Sequence, residues 1–187
     1  MRDKTRNERY NEKAKSAKTF PISLTTINFR CDENLGYLIR SAACFGAESV
    51  NVIGSVPPRS ILNPLSGSLH DYVKINQFRN PREFLNYSFD NEIQLISAEL
   101  TEVSNNLDTF SFNFEKKISI IVGNETSGVP IELLANSIPV YIEMPGIGFC
   151  LNTSQAANIL LYEAVKQYKF LQKYFENLNQ PSYAVLT

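Results

Sequence analysis

Three short segments, far apart in the chain, combine glycine with an amide, an acid or a cation in patterns suited to ligand chemistry. The first is Asn34-Leu35-Gly36-Tyr37-Leu38-Ile39-Arg40. It sets an amide and a guanidinium about two helical turns apart. Arg40 stands in an otherwise apolar stretch, where burying an unpaired charge is costly. Either it forms an ion pair, with Glu33 or Glu125, or its planar fork addresses a phosphate or an oxygen nucleophile.

The second segment, Gly123-Asn124-Glu125-Thr126-Ser127-Gly128-Val129-Pro130, has two glycines bracketing one acid behind the apolar run Ile118 to Val122. Glycine lets backbone approach a ligand closely, although the segment read alone is equally a tight turn. It is neither a dinucleotide-binding glycine fingerprint nor a nucleoside-triphosphate loop. The third runs from Ile142 through Met144-Pro145-Gly146 to Leu151-Asn152-Thr153-Ser154. Asn152 or Thr153 stands where a following helix needs an N-cap. The mix of apolar side chains and glycines around them suits a flat heteroaromatic ring such as adenine.

The elements that must position these segments follow from periodicity. Ile22 to Asn28, Val50 to Ile53, Ile93 to Ser97, Ile118 to Val122 and Pro139 to Met144 read as strands. Asn34 to Phe45, Pro81 to Tyr87 and Pro130 to Asn136 read as helices, the first with Asp32 or Asn34 as cap and Gly46 as stop. From Thr153 to about Tyr174, Ala156, Ala157, Leu160, Leu161, Ala164, Val165, Tyr168 and Leu171 follow amphipathic helical spacing. Strands alternating with helices predict an α/β fold with a mostly parallel sheet covered on both faces. Ligands of such sheets bind outside the C-terminal strand ends, which selects the loops 29–34, 123–129 and 145–152.

Composition narrows the class. With 43% hydrophobic and 20% charged residues, the 187-residue chain is an ordinary globular one. No apolar run has bilayer-spanning length, and the N-terminus lacks a secretory h-region, so a cytoplasmic protein is expected, without membrane association. Cys31, Cys44 and Cys150 have no metal-like spacing and read as reduced thiols, and no metal is expected. The lone histidine, His70, reads as a surface or capping residue. Net charge is −1, yet residues 1–18 hold seven Lys or Arg and three Asp or Glu, a net of +4 that leaves −5 for the remainder. That basic arm, residues 1–20, is read as a phosphate-tracking segment ahead of a merely solvated tail.

Taken in order, N-x-G-x-x-x-R, G-x-E-x-x-G and M-P-G followed by L-N-T-S resemble the three signature motifs of the TrmH (SpoU) family of the SPOUT methyltransferases, over about residues 22–168. The resemblance implies a domain at 21–175 with a tail at 176–187, and a deep C-terminal trefoil knot. It implies S-adenosylmethionine as cofactor, carried by Ala98, Gly123, Glu125, Gly128, Ile142, Met144, Leu151, Asn152 and Ser154. It further implies a homodimer in which the catalytic pair Arg40 and Asn34 reaches the cofactor of the other subunit. The substrate would be an RNA ribose 2′-hydroxyl, tRNA ahead of rRNA. Cys150 replaces the usual Ser, Glu143 the usual Pro, and the loop Gly146 to Phe149 is unusual.

Methyl transfer of this kind needs positioning and removal of a hydroxyl proton, and no metal. The family proposal makes Arg40 the general base. A guanidinium is normally protonated, so the other reading has Arg40 stabilise charge developing on the oxygen. Two alternatives stand beside this: a knotted RNA-binding protein without catalysis, and a nucleotide-binding enzyme such as a dehydrogenase. The latter would want more than the single glycine that follows Ile22 to Asn28.

Overall fold

The computed structural model describes residues 4–178. Seven strands form one sheet: β1 (Phe20–Ile27), β2 (Ala47–Ile53), β3 (Lys74–Phe78), β4 (Gln94–Ala98), β5 (Asn105–Asn106), β6 (Ile118–Val122) and β7 (Ile138–Tyr141). Their order is β3-β2-β1-β6-β4-β7-β5, and every pairing is parallel. The helices are α1 (Arg6–Ala14), α2 (Asp32–Phe45), α3 (Arg59–Leu65), α4 (Pro81–Asp90), α5 (Ile131–Leu134) and α6 (Thr153–Leu178).

Alternation along the strands divides the core in two. Ile22, Leu24, Val50, Val52, Ile96, Ile118, Ile120, Val122 and Val140 face one way, against Leu35, Leu38, Ile39 and Ala42 of α2 and Ala157, Leu160, Leu161 and Ala164 of α6. Ile27, Ile53, Phe78, Leu95 and Ile121 face the other way, against Phe84 of α4 and Leu133 of α5. Each fully buried Leu or Ile contributes roughly 1.5–3 kcal/mol, so the sheet is clamped from both sides. The second face also holds a buried polar ladder. There the Asn51 amide donates to Thr25 Oγ1 at 3.1 Å, and Asn76 donates to Asn51 Oδ1 at 2.8 Å.

The strand-helix-strand reading is borne out, with differences at the ends. Cys31, and neither Asp32 nor Asn34, occupies the N-cap of α2, without a side-chain cap bond; the Asn34 side chain is engaged elsewhere. Gly46 stops α2 in the left-handed conformation, φ 75°. β3 and α3 do not stand out in the sequence. β3 is a sheet edge whose polar Lys74, Asn76 and Gln77 dilute any apolar run, and α3 carries Pro64, which reads as a breaker. α6 continues to Leu178, into the expected tail, and Leu171 on it is exposed. Residues 179–187 of that tail and 1–3 of the arm lie outside the described residues.

The glycine of the first motif has a packing role. A Cβ at Gly36 would stand 2.3 Å from Leu65 Cβ and 3.1 Å from its carbonyl carbon, so α3 crosses α2 where α2 has no side chain. Gly36→Ala should therefore destabilise the protein by about 1–3 kcal/mol through overpacking, despite the better helix propensity of alanine. Urea unfolding checks this, and an unchanged or raised midpoint would contradict it.

Candidate active site

The C-terminal ends of β4, β6 and β7 open into one cleft of about 270 Å³. Its walls come from residues 98–100, 122–125 with Gly128, 140–142 with Met144, and the segment from Phe149 into the first turns of α6. Most of the lining is apolar or backbone: Ala98, Val122, Val140, Ile142, Leu151, Ala156 and Leu160. Ile142, Met144 and Leu151 among the lining belong to the third segment, whose mix of apolar side chains and glycines reads as suited to a flat ring.

The loop after β6 is closed on itself. The Asn124 amide donates to the Gly128 carbonyl and the Gly128 amide to the Asn124 carbonyl, both at 3.0 Å. A Cβ on Gly123 would lie 2.2 Å from the Gly128 carbonyl carbon, and Gly128 itself has φ 66°. Both glycines are thus required by the turn, and both leave backbone bare at the cleft. Glu99 locks the far side: its carboxylate accepts the Val129 amide at 2.9 Å. Glu99 was missed in the sequence, where the visible sign was an acid directly after a buried strand end.

The loop after β1 lies behind the cleft wall and meets it through Glu125. That carboxylate accepts the Arg30 amide at 3.0 Å, the Cys31 amide at 3.4 Å and the side-chain amide of Asn34. A carboxylate only accepts, so the NH₂ of Asn34 must face Glu125 and its oxygen must face away. That oxygen accepts from Asn152 Nδ2 at 3.0 Å. Asn152 Oδ1 in turn accepts the Ser154 amide at 2.9 Å and the Ser154 hydroxyl at 2.6 Å. Asn152 therefore caps α6 and also ties it to α2. Each link fixes the orientation of the next, so residues from all three motifs form one directed relay.

The relay is electrostatically biased. Partial burial raises the Glu125 carboxyl, but the amides of Arg30 and of Glu125 itself, the Asn34 side chain and the Cys31 amide outweigh it and hold the group below its ordinary value. Asn34 is buried, at 5% exposure.

Of the residues singled out in the sequence, Ala98, Gly123, Glu125, Gly128, Ile142, Met144 and Leu151 line the cleft. Asn152 and Ser154 stand beside it in the relay, without lining it. Arg40 is brought to neither place. It is exposed on α2 beside Gly67, and among the described residues it has no ion pair, so pairing with Glu33 or Glu125 is not what holds it. On the loop the sequence marked as unusual, Phe149, which lines the cleft, is 96% exposed, and Ile147 is 95% exposed. Cys31, Cys44 and Cys150 are free and exposed. His70 lies away from the cleft, hydrogen-bonded to Asp71, which also pairs with Arg59. No helix among the described residues is long and apolar enough to cross a membrane, and no group of metal-binding side chains occurs among them.

Residues 21–162 match the pattern of the SpoU rRNA Methylase family. A relative from Streptomyces viridochromogenes, named a 23S rRNA (uridine(2479)-2′-O)-methyltransferase, is 30% identical over 149 residues, which cover 72% of this chain and 48% of the relative. A relative from Aquifex aeolicus, named a tRNA (guanosine(18)-2′-O)-methyltransferase, is 25% identical over 142 residues, covering 75% and 66% of the two chains. The chain thus spans about half the length of the first relative and two thirds of the second. In fold it is similar to the crystal structure of the A. aeolicus TrmH/SpoU tRNA modifying enzyme, with a TM-score of 0.74 over 95% of this chain and 89% of that one at 22% identity. With the family pattern extending over most of its length, the chain belongs to the SpoU rRNA Methylase family.

Proposed function

We propose that the protein transfers a methyl group from S-adenosylmethionine to a ribose 2′-hydroxyl of RNA, with tRNA the preferred substrate. The observation that carries this reading is the hydrogen-bond relay Glu125–Asn34–Asn152, which joins the three motifs beside an apolar, glycine-floored cleft. The site fits the cofactor: bare backbone at Gly123 and Gly128 admits close approach, and Ile142, Leu151 and Leu160 supply apolar walls for a ring. Bound there, S-adenosylmethionine supplies an electrophilic methyl on a sulfonium.

The protein's own contribution is placement and charge. The relay holds Gly123 to Gly128 against the start of α6, so the two walls of the cleft keep their spacing as substrate binds. Arg40, outside the cleft of its own chain, faces the cleft of a second copy in a homodimer. Its guanidinium polarises the 2′-hydroxyl and stabilises the negative charge that develops as the proton leaves to solvent or to a phosphate oxygen. The knot belongs to the same proposal: the segment between β7 and α6 threads through a loop. This is supported by the path of the chain, which leaves the sheet outside β4 and returns as α6 to pack on β1, β6 and α2. A tRNA substrate is supported by the better length agreement with the tRNA relative than with the rRNA relative.

Titration calorimetry with S-adenosylmethionine, NAD and ATP should give binding of the first alone, and labelled cofactor should mark bulk tRNA more than rRNA. Binding of NAD in its place would end the reading. Binding of the cofactor with no labelled RNA would favour a knotted binding protein without catalysis.

Arg40→Ala and Arg40→Lys should each lower kcat by about 10²-fold or more while cofactor affinity is kept, because a preorganised charge near the reacting oxygen is lost or displaced. Near-full turnover by the lysine variant would contradict the role given to Arg40.

The relay predicts opposite pH responses for two proteins. In the wild type, Glu125 is held below its ordinary value, so its contribution is present above an unfolded pKa of about 4.3 and lost as pH falls through the folded value. Asn34→Asp sets two carboxylates face to face and raises one of them. The variant should be less stable than wild type at neutral pH and should recover part of that loss between about pH 7 and 5. Thermal unfolding at several pH values checks this, and parallel profiles for the two proteins would refute it.

A further inference from the structure

Helix α1 lies outside the residues that the family pattern covers, and none of its side chains is buried. Its charges are sorted. Arg6, Arg9 and Lys13, spaced three and four apart, share one stripe, while Glu8 and Glu12 share another. Both acids are engaged within the arm: Glu8 closes a capping box with Thr5, and Glu12 pairs with Lys4. Among the described residues no ion pair involves Arg6, Arg9 or Lys13.

The face between those stripes docks on the body of the protein. Tyr10 donates its hydroxyl to the Gly67 carbonyl at 3.2 Å, Tyr72 donates to Asn11 Oδ1, and the rings of Tyr10 and Tyr72 meet edge to face at 5.8 Å. Gly67 has φ 68°, and a Cβ built on it would stand 3.6 Å from the guanidinium carbon of Arg40. One loop residue therefore separates the docked helix from Arg40. The remainder of the chain, residues 19–187, carries −5, so this corner concentrates the positive charge.

We propose that α1 is an RNA-binding surface, its cationic stripe holding the phosphate backbone and leading the strand to Arg40. This rests on the methylation reading. The stripe has no apolar residue to insert into a bilayer, and its continuity with Arg40 favours a polyanion that must also present a ribose there.

The test uses the full chain with Arg6→Gln, Arg9→Gln and Lys13→Gln combined, and unmodified tRNA transcript as probe. Anisotropy titrations at several salt concentrations should show affinity weakened about tenfold or more, and a salt slope smaller by about 2. Cofactor affinity by calorimetry should match wild type, which shows that the variant folds. Tyr10→Ala, which keeps the charges and loses the dock, should raise the KM for RNA with little change in salt slope. Unchanged RNA affinity and slope in the triple variant would overturn the proposal, as would a loss confined to binding of anionic vesicles. Failure of the wild type to bind cofactor would instead count against the methylation reading, because RNA binding is measured without turnover.

Discussion

Everything in the site depends on one buried amide. Asn34 stands between a carboxylate from the loop after β6 and an amide at the head of the last helix, 91 and 118 residues away in sequence. Its two ends are chemically different, one donor and one acceptor, so it tells the neighbours which way to face. An aspartate would offer two acceptors, a leucine none. That directional requirement explains why the first motif holds an asparagine within the first turn of α2.

The sheet order brings that amide into reach. β1 and β6 are neighbours at the point where the strand order turns back, so the loops leaving their C-terminal ends meet side by side. Glu125 comes off one loop, and Arg30 and Cys31 come off the other. α6 crosses the same region on the face shared with α2, which sets Asn152 against Asn34. The glycines do complementary work: Gly123 and Gly128 close a turn that leaves backbone exposed to a ligand, and Gly36 lets α3 cross α2 at short range.

Much of this was legible in the sequence. Buried parallel strands show as apolar runs, α2 ends at a glycine, and α6 carries its stripe in plain view. The lining residues could be named because the three segments together resemble the family's motifs; read alone, the glycine segment after β6 is equally a tight turn. What stayed hidden has physical reasons. The polar edge strand β3 and proline-bearing α3 give weak periodic signals. Glu99 acts through a backbone amide 30 residues away, which no local pattern encodes. The engagement of Asn34 with both Glu125 and Asn152 is a tertiary fact: alone, each of those residues reads as a cap or a turn former. Arg40 looked like a buried charge because it follows Leu38 and Ile39, yet its place on the helix turns it outward.

In the proposed function, backbone from three strand ends, held in register by the Asn34 relay, surrounds one S-adenosyl group that a second copy's Arg40 faces. A crystal structure of the protein grown with S-adenosylmethionine tests it most directly. The ligand is expected between residues 98–100, 122–128 and 140–144, with the relay intact and Arg40 of the second copy directed at the methyl group. A ligand bound elsewhere, or an Arg40 distant from the cleft in every copy, would contradict it.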